Sequence, residues 1–368
     1  MHKIAIDTRM GAHPGIGRYI RELVVSLLDQ RPADIRWVFL GDPSLSRQFA
    51  AKAGDCDFIH AKSPIYSVDE QWEMSYLAHG VDLLHVPHFN ISVLSRTPLV
   101  TTIHDLTYVH QKGSTRSILG RSYAKSLMRI AIQRSKTILT VSEYTKKDIL
   151  QCFPKTDPSK IIVTYEAASS YFKKIEGQTR LNDLKNKLML EKPFVLSVGS
   201  LKTHKNIPTL LSAMKLLHES GKIDAELLIV GRKDSKDDSL LRQIQAAGNG
   251  VRYLGELEDE SLLSLYNLCE VFVLPSLREG FGLPVLEAMS CGAPVIVSDR
   301  TSLPEIAGDA GLVFDAMSAE ALAHQMQKVF TDTGLRKRLS TAGLARAREF
   351  SWKKTAEKTL EVYRKALQ

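Results

Sequence analysis

Strand-length apolar runs alternate with segments of helical periodicity along this chain, and this alternation is the feature that most constrains its fold. The runs predict strands at 3–7, 37–41, 83–86, 99–103 and 137–141, then at 194–198, 226–230, 271–274 and 294–297. Between them apolar residues recur three and four positions apart, most clearly over 17–28. Such alternation is typical of parallel α/β sheets. With 368 residues the chain is long enough for two cores.

The charged, weakly patterned segment 175–191 separates the two series and is interpreted as an interdomain linker. The sequence therefore predicts an α/β protein of two Rossmann-like domains facing a central cleft, an N-terminal one at 1–174 and a C-terminal one at 175–352. An amphipathic helix at 353–368 is expected to pack back on the N-terminal domain. Because ligands bind where strands of such sheets end, functional residues are sought there.

Composition excludes several classes of protein. No apolar run approaches the roughly 20 residues that span a bilayer, and the first residues lack a signal-peptide core. The four cysteines are scattered without a zinc or disulfide spacing, and they are interpreted as buried free thiols. These features predict a cytoplasmic protein.

The net charge of +8 is concentrated locally, since no acidic residue lies between Asp105 and Glu143. Such a patch suits an anionic partner, but no nucleic-acid-binding motif is present and nucleic acid is not expected. The stretch 115–135 is predicted to be a helix with Arg121, Lys125 and Arg129 at four-residue steps. An ordinary solvated helix face explains this stripe; adsorption to an anionic membrane surface is the functional alternative.

The stretch 275–297 carries the strongest functional signal. A glycine-rich turn, Glu279-Gly280-Phe281-Gly282-Leu283, follows a predicted strand and directly precedes a predicted helix. Backbone N–H groups at a helix start bind anions and hydroxyl groups. Glu279 before the helix and Glu287, expected in its first turn, supply two carboxylates that can grip pairs of hydroxyls. A buried strand–helix unit with a helix-terminal glutamate is the structural alternative.

These residues resemble the retaining glycosyltransferases of family 4, whose hallmark is two glutamates with seven residues between them and whose fold is glycosyltransferase-B. The resemblance continues through 292–299, 302–305 and 308–311, and also covers 5–7, 15–19, 102–106, 198–206, 228–231 and 251–255. It implies that Glu287 binds the ribose hydroxyls of a nucleotide sugar. It also implies that Glu279 and the amides of Gly280, Phe281 and Gly282, with Leu283 beside them, hold the donor sugar.

The loop 199–206 follows the first predicted strand of the second domain. By resemblance Lys205 is the cation that neutralises the donor diphosphate without metal. Many relatives carry arginine at the position of Ser200, so one charge contact is missing here, and Lys202 is a candidate substitute. Considered without the motif, Lys205 would be interpreted as an ordinary exposed lysine.

Two loops of the N-terminal domain complete the candidate site. The segment with Gly15 and Gly17 lacks the third glycine of the dinucleotide-binding fingerprint, because Ile20 occupies that position. This disfavours a nicotinamide site. The amides of the two glycines are instead expected to reach the diphosphate or the acceptor, unless they form a simple turn. By resemblance His104 contacts the donor sugar near its reactive carbon, while Asp105 orients it or caps a helix; a purely structural His104 is the alternative.

Asp55-Cys56-Asp57 matches the metal-binding pair of a different glycosyltransferase fold. Because it does not follow an apolar strand, it is interpreted as a loop, and no metal or cofactor is expected. The resemblance implies retaining transfer of a hexose to a glycan or lipid-linked acceptor in polysaccharide assembly, with mannose from GDP-mannose as the leading donor. A UDP-hexose or another GDP-sugar, a nucleotide-sugar epimerase or hydrolase, and a catalytically silent sugar-nucleotide binder remain alternatives.

Overall fold

The computed structural model describes residues 1–368 except 14, 43–44, 46–48, 50–51, 53–55, 111–117, 178, 222, 234–237 and 249. Its contacts divide the chain into two compact units: unit 1 is Met1–Glu166 with Ser351–Gln368, and unit 2 is Ala167–Phe350. The division therefore falls after Glu166, eight residues before the border at 174 drawn from the sequence. Among the described residues no helix combines the length and apolar character needed to cross a bilayer.

Unit 1 is built on a seven-stranded parallel sheet in the order β3-β2-β1-β4-β5-β6-β7. The strands are β1 (His2–Asp7), β2 (Ile35–Gly41), β3 (Cys56–His60), β4 (Leu83–Val86), β5 (Leu99–Ile103), β6 (Thr137–Thr140) and β7 (Ile161–Val163). Every residue of β4, β5 and β6 is buried. Burial on both faces is the usual state of a parallel strand that helices cover.

Five described helices of unit 1 follow its strands: α1 (Ile16–Asp29), α2 (Val68–Leu77), α3 (Thr107–His110), α4 (Ile118–Arg134) and α5 (Glu143–Cys152). Serine side chains cap the N-termini of two of these helices. Ser67 Oγ accepts the Glu70 N–H at the start of α2, and Ser142 Oγ accepts the Thr145 N–H at the start of α5. The helix predicted at 115–135 is thus described from Ile118 onward.

Unit 2 contains a six-stranded sheet in the order β10-β9-β8-β11-β12-β13, again parallel throughout. The strands are β8 (Phe194–Val198), β9 (Glu226–Val230), β10 (Val251–Tyr253), β11 (Val271–Leu274), β12 (Val295–Ser298) and β13 (Gly311–Phe314). The helices are α6 (Thr179–Lys187), α7 (Ile207–Glu219), α8 (Ser239–Ala246), α9 (Asp259–Leu268), α10 (Leu283–Ser290), α11 (Leu303–Ala307), α12 (Ala319–Thr331) and α13 (Thr333–Ala347).

The prediction that 175–191 is an interdomain linker is wrong. The segment lies inside unit 2 and contains α6, which packs against α9. Leu181 and Leu190 are buried, and the Ile175 N–H donates to Asn267 Oδ1 at 2.8 Å. Leu181, Leu184 and Leu188 recur three and four positions apart, which is a helical spacing, but the many charged residues around them conceal it.

The last helix, α14 (Trp352–Leu367), belongs to unit 1, where it packs on α1 and β4. Tyr363 is fully buried, and its hydroxyl lies 2.5 Å from His85 Nδ1. The other ring nitrogen of His85 lies 2.8 Å from Thr102 Oγ1. Burial lowers the pKa of His85 to about 3, so the ring is neutral at pH 7 and needs both of these hydroxyl partners. The helix therefore completes the core of unit 1.

Candidate active site

The glycine-rich turn of unit 2 leads from β11 into α10 through a left-handed residue. Gly282 has a φ of 109° and is the N-cap of α10. This backbone angle favours glycine, and an added Cβ would lie 2.7 Å from Leu303 Cδ2, so the end of that leucine side chain would also have to shift. The far end of α10 closes with Gly292, whose N–H donates to Met289 O, while the Ala293 N–H donates to Ala288 O.

Two hydroxyls from the segment before α11 hold this turn in place. Ser302 Oγ donates to the carbonyls of Glu279 at 3.1 Å and Phe281 at 2.9 Å. The Glu279 N–H donates to Thr301 Oγ1 at 3.0 Å. The path of the backbone through Gly280 is therefore fixed from both sides before any ligand binds.

Lys205 and Glu279, which are 74 positions apart, form an ion pair in unit 2. Lys205 Nζ lies 2.6 Å from Glu279 Oε1, and the two side chains are only 15% and 14% exposed. Ser276 Oγ donates to the same oxygen at 2.6 Å. Burial alone would raise the pKa of Glu279, but the Lys205 charge and these hydrogen bonds outweigh it and lower the pKa. The carboxylate is therefore ionised at neutral pH.

The ion pair lies at the point where the strand order of the sheet reverses. The chain runs outward from β8 through β9 to β10, then returns to place β11 on the other side of β8. Lys205 follows β8 and Glu279 follows β11, so the two side chains flank this reversal at the carboxyl ends of adjacent strands. In open parallel sheets this crevice is the usual ligand site.

Asn206 ties the loop after β8 to the loop after β11. It adopts a left-handed conformation with a φ of 55°. Its side-chain amide donates to Pro275 O at 3.1 Å and to Ala316 O at 2.8 Å. The Leu277 N–H donates to His204 O at 2.7 Å. Lys205 is thus held beside Glu279 by its neighbours in sequence as well as by its own charge.

The aliphatic part of the Lys205 side chain lies along Gly199. A Cβ added to Gly199 would lie 3.5 Å from Cδ and Cε of Lys205. Ser200 follows in the turn and is half-buried, and its carbonyl accepts the Lys202 N–H at 2.8 Å. Lys202 is exposed. The structure therefore brings Lys205 to the site, while Lys202 lies three residues before it on the surface of unit 2.

Glu287 lies in the second turn of α10, so its predicted place in the first turn is wrong. The helix begins at Leu283, which makes Glu287 its fifth residue. The side chain is buried, and Tyr266, itself fully buried on α9, donates its hydroxyl to Glu287 Oε2 at 2.9 Å. Burial raises the pKa of the nearby Cys291 thiol to about 12, and the Glu287 charge adds to the rise.

His104 at the end of β5 makes contacts on both sides of its ring within unit 1. Nδ1 lies 3.2 Å from Glu166 Oε1, and Nε2 lies 3.1 Å from Pro87 O. The ring also meets Tyr19 edge-on, with 4.7 Å between centroids. Asp105 Oδ1 accepts the Thr107 N–H at 2.7 Å and thereby caps α3, the capping role that the sequence allowed.

Gly15 and Gly17 lie at the start of α1. Gly15 is the N-cap, with a φ of 80°. A Cβ on Gly17 would lie 2.3 Å from Gly11 O, so this glycine is required by the close approach of the short 3₁₀ turn at Arg9–Ala12. Arg21 donates to the same carbonyl through Nη1.

A buried charged network in unit 1 was not found from the sequence. Arg9 Nη2 donates to Asp7 Oδ2 at 2.6 Å, and Arg9 Nη1 lies 2.7 Å from Glu70 Oε1. Asn90 Nδ2 donates to the same glutamate oxygen at 2.7 Å. Asp7 is the last residue of β1 and Asn90 follows β4, the two strands between which the order of this sheet reverses. Glu70 lies on the buried side of α2, and this can be seen only once the packing of that helix is known.

Asp57 is not in a loop as predicted but on the edge strand β3, while Asp55 lies outside the described residues. Arg36 Nε and Nη2 donate to the two carboxylate oxygens of Asp57 at 3.1 and 3.0 Å. These bonds lower the pKa of Asp57 and neutralise its charge.

The prediction that all four cysteines are buried is confirmed for Cys269 and Cys291, whereas Cys56 and Cys152 are half-buried.

The basic stripe of α4 has two described members, Lys125 and Arg129, and both are exposed. The side chain of Arg121 lies outside the described residues. On the other face Leu127, Met128 and Ala131 are buried in the core of unit 1.

Comparison with known proteins agrees with this architecture. A family model described as glycosyl transferases group 1 matches residues 180–346, and one described as glycosyltransferase family 4 matches residues 14–167. The O-antigen chain mannosyltransferase B of Escherichia coli is 31% identical over 98% of this chain and 99% of its own length. The serotype-specific mannosyltransferase WbdA of Escherichia coli is also 31% identical, over 64% of this chain but only 29% of that longer relative.

Among solved structures, Anabaena Alr3699/HepE in complex with UDP and glucose matches with a TM-score of 0.77. The match covers 99% of this chain and 100% of that one, at 18% identity. Two Rossmann-like units with parallel sheets, matched over nearly the full chain, show the glycosyltransferase-B fold. The sequence matches carry the assignment further: the chain belongs to glycosyltransferase family 4.

Proposed function

We propose that this glycosyltransferase transfers a hexose with retention of configuration, without metal, from GDP-mannose to a glycan or lipid-linked acceptor in polysaccharide assembly. The observation that carries the proposal is the Lys205–Glu279 ion pair, which stands beside a braced glycine-rich turn where the strand order of unit 2 reverses. The name of the mannosyltransferase that is 31% identical over nearly the full chain supports mannose as the sugar.

In this reaction the bond between the anomeric carbon and the diphosphate oxygen breaks, and negative charge develops on the leaving group. Lys205 is already desolvated and positioned, so it stabilises that charge at little cost of reorganisation. Backbone N–H groups at the start of α10 add to this stabilisation. The acceptor oxygen attacks the same face through an oxocarbenium-like transition state. Its proton passes to an oxygen of the departing phosphate.

The glutamates take separate tasks because their surroundings differ. Glu279 is held ionised by Lys205 and Ser276, and it accepts hydrogen bonds from hydroxyls of the donor sugar. Glu287 is buried and accepts the Tyr266 hydroxyl, and its carboxylate binds the ribose hydroxyls. For unit 1 the predictions stay as the sequence made them: His104 contacts the donor sugar, and the amides of Gly15 and Gly17 reach the diphosphate or the acceptor.

The facial course and the metal requirement are tested in one reaction. GDP-mannose and UDP-glucose are supplied together with acceptor, and the first-formed product is followed by proton NMR with and without EDTA. We expect only GDP-mannose to be consumed and its anomeric configuration to be retained. Because the protein supplies the charge through Lys205, EDTA should change the rate by less than about twofold, or about 0.5 kcal/mol of barrier.

Each other outcome overturns a defined part of the proposal. An inverted product removes the retaining mechanism, and consumption of UDP-glucose alone changes the donor. Loss of activity in EDTA with recovery in magnesium or manganese removes metal independence. Donor consumption at the same rate without acceptor points to a hydrolase or epimerase, and binding without turnover points to a silent binder.

The exposed basic face of α4 is proposed to adsorb to anionic lipid, which would bring the enzyme to a lipid-linked acceptor. Lys125→Glu with Arg129→Glu reverses two charges on side chains that do not pack in the core. We expect this variant to lose sedimentation with vesicles containing anionic lipid and to keep activity on a soluble acceptor. Equal sedimentation of the variant and the wild type would leave an ordinary solvated helix face.

A further inference from the structure

Three side chains of different chemistry converge in unit 1, on elements that flank His104. His110 ends α3, and Asp148 and Cys152 lie one turn apart on α5. His110 Nε2 lies 2.7 and 2.9 Å from the two oxygens of Asp148. Cys152 Sγ lies 3.7 Å from His110 Nε2 and 3.7 Å from Asp148 Oδ1.

The spacing of these atoms matches the edges of a tetrahedral zinc site. With Zn–S of about 2.3 Å and Zn–N or Zn–O of about 2.0–2.1 Å, a tetrahedral ion places sulfur about 3.5 Å from each other ligand atom. Both observed sulfur distances are 3.7 Å. The nitrogen and oxygen would stand about 3.3 Å apart around the ion. Their hydrogen bond therefore opens by about half an ångström when a metal enters.

The geometry does not fit a nucleophilic triad. In a triad the histidine uses one ring nitrogen for the nucleophile and the other for the carboxylate. Here the same atom, His110 Nε2, faces both Cys152 and Asp148. Three donor atoms that all lie within 4.8 Å of one another instead form one face of a coordination polyhedron.

We propose that His110, Asp148 and Cys152 bind a zinc ion, with water in the fourth position. A thiolate, an imidazole and a carboxylate are the three ligand types that zinc prefers in proteins. On binding, the Cys152 thiol releases its proton to solvent, and the His110 proton moves from Nε2 to Nδ1, so that Nε2 offers its lone pair. Asp148 is only 6% exposed, which gives the ion one largely desolvated ligand.

The ion would stiffen the backbone that carries His104. Thr145, one turn before Asp148 on α5, donates its hydroxyl to the His104 carbonyl at 3.1 Å. The zinc joins the end of α3 to α5, and α3 begins three residues after His104. Its role is to hold this segment, and it takes no part in the proposed sugar-transfer chemistry of Lys205, so its removal by EDTA should stay within the small change of rate expected above.

The test uses the wild-type chain without donor or acceptor, so its outcome is independent of glycosyl transfer. The protein, freed of metal, is alkylated with iodoacetamide with and without zinc, and the modified cysteines are mapped by mass spectrometry. Cys56 and Cys152 are both half-buried, which makes Cys56 the internal control. We expect zinc to protect Cys152 and leave the rate at Cys56 unchanged. Equal rates at Cys152 with and without zinc overturn the proposal.

Cobalt supplies a second measurement. One equivalent of Co²⁺ should give a thiolate charge-transfer band in the near ultraviolet that Cys152→Ser abolishes and Cys56→Ser keeps. Loss of a residue that only orients a metal ligand costs about 10–100-fold in affinity, so Asp148→Asn should weaken zinc binding by at least about 10-fold. Absence of the cobalt band in the wild type, or its persistence in Cys152→Ser, also overturns the proposal.

Discussion

Lys205→Ala is expected to lower turnover by about 100-fold or more, the loss that follows removal of one group aimed at developing transition-state charge. Lys205 is only 15% exposed and is held by Glu279 and by the turn that ends at Asn206, so water cannot fully replace its ammonium group. The measurement is kcat at saturating donor and acceptor, with release of the nucleoside diphosphate as the readout.

Two lysine variants make this experiment specific. Lys202→Ala removes an exposed lysine of the same loop and should leave kcat within about threefold, roughly 0.65 kcal/mol of barrier. If Lys202→Ala instead causes the larger loss, Lys202 compensates for the serine at position 200 and the assignment moves to it. A Lys205→Ala enzyme within about threefold of wild type would remove Lys205 from the mechanism.

Glu287→Ala is expected to weaken binding of the donor nucleotide by about 10- to 150-fold, because a hydrogen bond to a charged group contributes about 1.5–3 kcal/mol. The carboxylate is buried in α10 and already receives the Tyr266 hydroxyl, so it is presented in one orientation. Calorimetric titration with GDP measures the loss without a need for turnover.

Tyr266→Phe is the matched control, since it removes the hydroxyl partner and leaves the carboxylate in place. It should bind GDP more tightly than Glu287→Ala does. Thermal unfolding of both variants separates loss of binding from loss of fold, because each change affects a buried residue of unit 2. Unchanged GDP affinity in a folded Glu287→Ala protein would assign Glu287 a structural role only.

The strands found from the sequence and the strands missed differ in their place in the sheets. All nine predicted strands are confirmed, and each is an interior strand of its sheet. The four missed strands, β3, β7, β10 and β13, are the edges of the two sheets. Strands β3 and β10 have no fully buried residue, so they lack the continuous apolar run by which interior parallel strands are recognised.

The site was predicted where its residues lie close together in sequence. The turn at 279–283 and the helix after it follow from local glycine and proline placement, and the structure has both. The contact between Lys205 and Glu279 depends on β8 and β11 being neighbours, which no local pattern reports. The burial of Glu287 against Tyr266 depends on where α9 packs.

The buried charged network of unit 1 was harder still to predict from local sequence patterns. Arg9, Glu70 and Asn90 are far apart in sequence, and each looks like a surface residue when taken alone. Burial alone would lower the pKa of Arg9, but Asp7 and Glu70 reverse this and raise it. A charged group at such a depth is stable only with its partners, so the network has to be read from the folded chain.

The division of unit 1 into two stretches of chain has a consequence for synthesis on the ribosome. Unit 2 is one continuous stretch, 167–350, whereas unit 1 needs 351–368 as well as 1–166. Domains usually fold in the order in which they emerge. Here the later unit has all of its residues first, while the earlier one waits with His85 and Trp37 still lacking Tyr363. The core of unit 1 is therefore completed by residues that are synthesised after all of unit 2, and the surface of α1 and β4 that α14 covers stays exposed until then.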